Sequence, residues 1–351
     1  MKLLSVLFIS FLAHISFPKS PITMAQASSQ DWDKGEKSGH VSIGTHKLYV
    51  SVAGPDRKKD EPVIVLMQGL GATIAEWVAV RRLVTPFARF LCYDRSGMGK
   101  SECYPEPPEA ITAVAIAHNL DTLFKNINVA APYIVVCHSW GGILAREFLH
   151  LRKEEVVGMV FVDANQETTF ERPEDFPYPC FMAIQDGIDE WEMTGEQENH
   201  VLSKEEFELI EKENEDPRHQ ATQMAELGGF KTCFPVLAAK KQLENHALGS
   251  HPVSVIHGRY TGQHFQNTYD AAIARGNGTE KDREEFRYLI KEWGENSGPR
   301  MKKILDLSTD PSLGVYRETE RSGHNVQLTE PELIVEEIKR VYDYEVERLS
   351  S

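Results

Sequence analysis

The sequence predicts an α/β chain built on a doubly wound, mostly parallel sheet with an inserted helical cap. Three observations carry this. Val63–Met67, Phe90–Tyr93, Tyr133–Val136 and Val156–Val162 are continuous apolar runs rather than alternating ones, the signature of strands buried on both faces. Between them lie segments with helical spacing of apolar residues, so the strands are joined by crossovers and run parallel. From about residue 168 to 248 this alternation stops, and it resumes at Pro252.

The elements follow in order. Val41–Ile43 and Lys47–Val52 flank Gly44-Thr45-His46, a hairpin pattern. The strand at 63–67 runs into Gln68-Gly69-Leu70-Gly71. A helix is expected over 75–87, with Val78, Leu83 and Phe87 apolar. The strand at 90–93 ends in Asp94-Arg95-Ser96-Gly97-Met98-Gly99-Lys100-Ser101. Ile116, Leu120, Leu123 and Phe124 give residues 110–126 one apolar helical face. After the strand at 156–162, which ends at Asp163-Ala164-Asn165, comes the insertion. It opens with Pro173, Phe176, Pro177, Tyr178 and Pro179 and continues into an acidic helix, where Ser203 and Glu206 form a capping box. The insertion is expected to gate access to a site. Val253–His257 restores the strand pattern, and residues 280–306 read as helix with Phe286, Leu289, Ile290 and Trp293 inward. Leu313–Tyr316 is a last strand. Thr329, with Glu332 at the box position, is expected to cap a final helix carrying Leu333, Ile334, Ile338 and Val341.

The segment around Ser139 is the chemical centre. In Cys137-His138-Ser139-Trp140-Gly141-Gly142 a buried strand turns abruptly into a helix with a serine at the turn. This is a nucleophile elbow, which lifts the hydroxyl above the sheet edge. The positions two residues to either side must be small: Gly141 satisfies this, and Cys137 stands where glycine is usual. His138 is read as structural. A serine hydroxyl needs a base, and a histidine is suited to the task because its ordinary pKa is near 6.5. The oxyanion of an acyl-transfer intermediate needs two backbone N–H donors: Trp140 offers one and Leu70 the other.

Composition bounds the rest. The 351 residues suffice for one large domain with an insertion, and 41% hydrophobic with 26% charged residues is ordinary for a globular protein. A formal charge of −15 from 38 basic and 53 acidic residues disfavours nucleic acid and stable association with an anionic membrane. No Cys/His cluster suggests a metal, and no cofactor is called for. Of the five cysteines, Cys92 and Cys137 are expected to be buried thiols, while Cys180 and Cys233 are candidates to pair inside the insertion. Residues 1–27 read as a signal peptide, with Ala25-Gln26-Ala27 as the cleavage site and Asn277-Gly278-Thr279 as a sequon, so a secreted chain beginning at Ser28 is expected, with a cytoplasmic one as the alternative. The expected organisation is 28–167 and 249–351 as the core and 168–248 as the cap.

Gln68-Gly69-Leu70-Gly71, the Asp94–Ser101 turn, the Cys137–Gly141 elbow and Ser322-Gly323-His324 followed by Pro331 occur in the order in which similar motifs occur in the α/β-hydrolase superfamily, and the chain resembles it from about residue 40 to 345. With Leu307-Ser308 the resemblance extends to its esterase-like branch. It implies His324 as the base, and a bracing rather than chemical role for Asp94 and Arg95. Members of the superfamily place the triad acid after the sixth or the seventh strand. Residues 257–264 contain no carboxylate, so the expected acid is Asp163, ahead of Glu167, with Asp270 too far along a helix. The expected function is a serine hydrolase acting on a small ester or lactone through Ser139. A ligand receptor or cyclase of the same fold, and amide hydrolysis on the same triad, stand as alternatives. A dehalogenase is disfavoured because that chemistry requires Asp at the elbow.

Overall fold

Eight strands form a single sheet in the order β1-β2-β4-β3-β5-β6-β7-β8. The structure is a computed structural model and describes residues 31–106, 108–170, 172 and 178–350. Residues 1–27, expected to be a signal peptide, together with Pro173, Phe176 and Pro177 of the insertion, lie outside the described residues. In chain order the elements are β1 (Lys37–Ser42), β2 (Lys47–Ala53), β3 (Val63–Met67), α1 (Val78–Val84), β4 (Arg89–Tyr93), α2 (Ala113–Ile127), β5 (Tyr133–His138), α3 (Gly141–Leu151) and β6 (Val156–Val162). The insertion contributes α4 (Pro179–Gln185), α5 (Glu190–Thr194), α6 (Glu196–Asn199), α7 (Lys204–Glu215) and α8 (Pro217–Ala238). Then come β7 (Val253–His257), α9 (Thr261–Arg275), α10 (Glu280–Lys302), β8 (Gly314–Glu318), α11 (Val326–Thr329) and α12 (Pro331–Ser350).

β1 and β2 are antiparallel at one edge, and β4, β3, β5, β6, β7 and β8 are parallel. The apolar runs have this form because both faces are covered. Val63, Val65 and Met67 pack with α2 and α3 through Leu120, Phe124, Leu144 and Phe148. Ile64 and Leu66 pack on the opposite face with Val80 of α1 and Ile334, Ile338 and Val341 of α12. Each such side chain buried contributes roughly 1.5–3 kcal/mol, and two full faces outweigh the ordering cost of the strands. The strand order reverses at β3, whose neighbours are β4 and β5. Crevices at such a point, above the carboxyl ends of the strands, are where open α/β sheets bind ligands. Gln68–Gly71 and Ser139 both emerge there.

Two local expectations need correction. The final helix starts at Pro331, so Thr329 does not cap it; Thr329 ends α11, and its hydroxyl bonds Ser322 Oγ at 2.6 Å. Proline at the first helical position moves the start one residue past the box register. Cys180 and Cys233 do not pair, and all five cysteines are free thiols. Cys180 is buried beside α9 and α10, and Cys233 packs into the cluster over α2 and α3. The Asn277 amide donates to the carbonyls of Ile184 (3.0 Å) and Asp186 (2.7 Å), which ties it to the end of α4.

Candidate active site

Ser139 has φ of 52°, a left-handed conformation that a non-glycine residue adopts only when its surroundings hold it there. The turn is held by Ser139 N–H donating to Val162 O (3.2 Å), while Ser139 O accepts from Gly142 N (3.0 Å) and Asn165 N (2.8 Å). A Cβ on Gly141 would run into the carbonyl of Met67, so glycine is required on the helix side. On the strand side Cys137 is tolerated because its Sγ tucks 3.6 Å from Val160 O. Burial pushes that thiol well above its ordinary pKa, so it remains a neutral packing group.

Asp163 and His324, 161 residues apart, meet beside this turn: His324 Nδ1 lies 2.7 Å from Asp163 Oδ2. Asp163 is buried, and its carboxylate also accepts from Gly258 N–H (2.8 Å) and Thr261 Oγ1 (3.2 Å). With the carboxylate accepting, the proton of the ring sits on Nδ1 and Nε2 keeps its lone pair, the tautomer a general base requires. The other carboxylates are engaged elsewhere. Glu167 pairs with the buried Arg146, and Asp270 accepts from Gln266 on the exposed side of α9. His138 packs beside the base: its Nε2 donates to the backbone O of His324 at 2.9 Å, and the ring centroids are 4.6 Å apart. Burial, and then the charge of His324, hold its pKa down to about 3, so it is neutral.

Leu70 lines the same cavities as Ser139, Trp140 follows the serine in the chain, and neither backbone N–H donates to another backbone carbonyl among the described residues. Asp94 accepts from the N–H groups of Ile74 (3.0 Å) and Lys100 (3.0 Å), a bracing geometry.

Two cavities meet at Leu70, Ser139, Glu196, His324 and Asn325. One, of about 250 Å³, is polar, with Glu76, Asn214 and Gln223 on its wall. The other, of about 330 Å³, is walled by Phe170, Phe181, Phe230, Phe265 and Trp293. Neither lining contains lysine or arginine. In the polar lobe Glu76 is pushed up to about 7, chiefly by burial and opposed by a backbone bond from Thr73 and by Arg95. His264 borders the apolar lobe, its pKa lowered by burial and by His324.

A match to the model of the alpha/beta hydrolase family spans residues 64–337. The chain belongs to this family. It is 32% identical over 305 residues to an AB hydrolase superfamily protein of Gibberella zeae, covering 84% of this chain and 91% of the relative. Among solved structures it is similar to the haloalkane dehalogenase DbeA of Bradyrhizobium elkani (TM-score 0.60, 15% identity, 90% and 100% of the two chains). It is also similar to a thermophilic esterase of Thermogutta terrifontis (TM-score 0.57, 17% identity, 88% and 99%). At these identities the structures report the fold alone.

Several residues of the alpha/beta hydrolase pocket were invisible in the sequence. Phe265 and Trp293 lie on α9 and α10, beyond the expected cap, so the apolar wall is shared between the insertion and the core. Trp293 reads from periodicity as an inward core residue, and half of that is true: it packs 5.6 Å from Phe265 while facing the cavity. Glu76 and Glu196 carry no local motif.

Proposed function

We propose that this chain is a serine hydrolase that cleaves a small carboxylic ester or lactone through an acyl-enzyme on Ser139. The observation that carries the reading is the 2.7 Å contact of His324 with Asp163 at the rim of the cavity that contains the strained Ser139. In this reading His324 Nε2 takes the proton of Ser139 as Oγ attacks the carbonyl. The Leu70 and Trp140 N–H groups receive the oxyanion, and Asp163 supports the imidazolium. Collapse expels the alcohol, which takes the proton from His324. A water molecule, deprotonated by His324, then releases the acid and restores Ser139.

The lobes support a substrate with an apolar acyl chain in the aromatic cavity and a polar or cationic alcohol part in the cavity with Glu76 and Glu196. An anionic alcohol part would meet two carboxyl groups and no cation. Export remains part of the proposal, resting on the N-terminal segment alone; N-terminal sequencing that finds Met1 on the mature chain would remove it.

Fluorophosphonate labelling tests the chemistry. Mass spectrometry is expected to find one probe on Ser139, and Ser139→Ala is expected to abolish both labelling and turnover of p-nitrophenyl esters. Undiminished turnover by the Ala variant would sink the proposal.

A further inference from the structure

The loop Gln68–Gly71 is gripped from two sides by a pair of residues 131 positions apart. Arg95, from the turn after β4, donates to Gln68 O (3.1 Å) and Gly69 O (2.6 Å). Glu226, from the cap helix α8, accepts from Gly71 N–H at 3.0 Å. The two are bidentate to each other, at 2.6 Å from Nε and 2.9 Å from Nη2, and both are at most 2% exposed. Glu226 reaches this depth because α8 lies directly on backbone. Ile111 N–H donates to Ala225 O (2.8 Å), and a Cβ on Gly229 would collide with the carbonyl of Ile111.

The clamp fixes a direction. The unit joining Gly69 C=O to Leu70 N–H is planar and trans, so the two bonds point opposite ways. With Gly69 O turned to Arg95, the Leu70 N–H is turned away from it. Leu70 lines both cavities beside Ser139.

We propose that Glu226 is a positioning residue for the oxyanion loop, so that seating of the cap and aiming of the Leu70 N–H are one event. This rests on the serine hydrolase reading above. α8 is then a fixed part of the catalytic apparatus, not a lid that swings clear of it. Without Glu226 the Arg95 guanidinium loses the carboxylate that orients it and Gly71 loses its acceptor, and the loop is free to turn its peptide.

The test compares three full-length variants with the wild type. In Glu226→Gln an amide N–H₂ meets donors on one side. In Glu226→Asp the charge is kept but the reach is shortened by one methylene, which covers the case in which the Gln variant fails to fold. Arg218→Ala removes a different tether of the cap, the bond from Arg218 to Ser101 O at 2.7 Å, and touches no loop atom. With p-nitrophenyl acetate, the Glu226 variants are expected to lose about 100-fold in kcat, the usual cost of one oxyanion donor, with KM within about threefold of wild type. Arg218→Ala is expected to keep kcat. Hydrogen exchange at the Gly71 amide is expected to accelerate only in the Glu226 variants. A kcat retained in Glu226→Asp, or an equal loss in Arg218→Ala, would overturn the proposal. Unchanged Gly71 exchange would do so too, and that arm remains decisive if the wild type shows no esterase activity and the hydrolase reading itself falls.

Discussion

His138 donates a 2.9 Å hydrogen bond from Nε2 to the backbone carbonyl of His324, across 186 residues of sequence. The residue before the nucleophile thus holds the main chain of the base, and it does so with a neutral ring. Burial has moved its pKa from 6.5 to about 3. The unfolded chain binds this proton below pH 6.5 and the folded chain does not, so the contribution is intact above pH 6.5 and is lost as pH falls toward 3. The expected penalty is up to about 1.4 kcal/mol for each pH unit in that window. Urea denaturation of wild type and His138→Gln at pH 6.5, 5.5 and 4.5 isolates it, because other titrations cancel in the difference. Gln preserves the donor and cannot protonate. Equal slopes for the two proteins would show that the ring is free to charge in the folded state.

Asp163→Asn keeps the shape of the acid and removes its charge. With the imidazole tautomer no longer fixed, turnover is expected to fall by roughly 10⁴-fold while the protein stays folded. Asp270→Asn, on the exposed side of α9, is expected to match wild type. Glu167→Gln should separate stability from chemistry. It leaves the buried Arg146 without its carboxylate, at a cost of about 3 kcal/mol in denaturant titration, yet the folded fraction is expected to turn over normally. Full activity in Asp163→Asn would exclude Asp163 as the triad acid, and loss of turnover in Glu167→Gln would then point to Glu167 despite its pairing with Arg146.

Glu76 gives the polar lobe a charge that depends on pH. Its pKa of about 7 means a neutral carboxyl below that value and a carboxylate above it. The other charged or titratable groups facing it are Arg95, Glu213, Glu196, His138 and His324. The ratio of kcat/KM for butyrylcholine to that for 3,3-dimethylbutyl butyrate, its neutral isostere, removes the titration of His324 from the comparison. The ratio is expected to rise as pH passes from 6 to 8 and to be flat in Glu76→Gln. A flat ratio in the wild type would mean that the ionised carboxyl does not face the alcohol part of the substrate.

What was legible in the sequence was whatever has a local signature. Val63–Met67 and Tyr133–His138 announce buried parallel strands because both of their faces are apolar, and the elbow announces itself because Ser139 must be followed by Gly141. Ser203 and Glu206 form the expected capping box. The capping role of Thr329 failed because Pro331 sets the helix start instead. The resemblance directed attention to Asp163 among three carboxylates, and only the structure shows Glu167 committed to Arg146. Glu226 has no local signature at all. It is one glutamate in an acidic insertion, and its meaning lies in Arg95 and Gly71, more than 130 residues away.

The aromatic lobe supplies the last prediction. Its walls come from two parts of the chain: Phe170, Phe181 and Phe230 in the insertion, and Phe265 and Trp293 beyond β7. The rings pack on one another, Phe170 lying 5.6 Å from Phe234 and 5.9 Å from Phe230. Asn165, 6% exposed, is one of the polar residues on the wall that this lobe shares with Ser139. If the lobe receives the acyl chain, each added methylene transfers about 0.8 kcal/mol of apolar surface out of water, or roughly a fourfold gain in kcat/KM per carbon from acetate to hexanoate. Trp293 borders this lobe and also, with Tyr288 and Leu289, the neighbouring aromatic crevice. If the acyl chain grows toward it, a hexanoyl group gains its contact and an acetyl group does not. Trp293→Ala is therefore expected to leave p-nitrophenyl acetate turnover within about threefold of wild type and to lower kcat/KM for the hexanoate at least tenfold, consistent with the loss of about two methylenes of burial. An equal loss on both esters would mean that Trp293 supports the fold of α10 and not the acyl chain, and the aromatic lobe would then have to be assigned to the alcohol part.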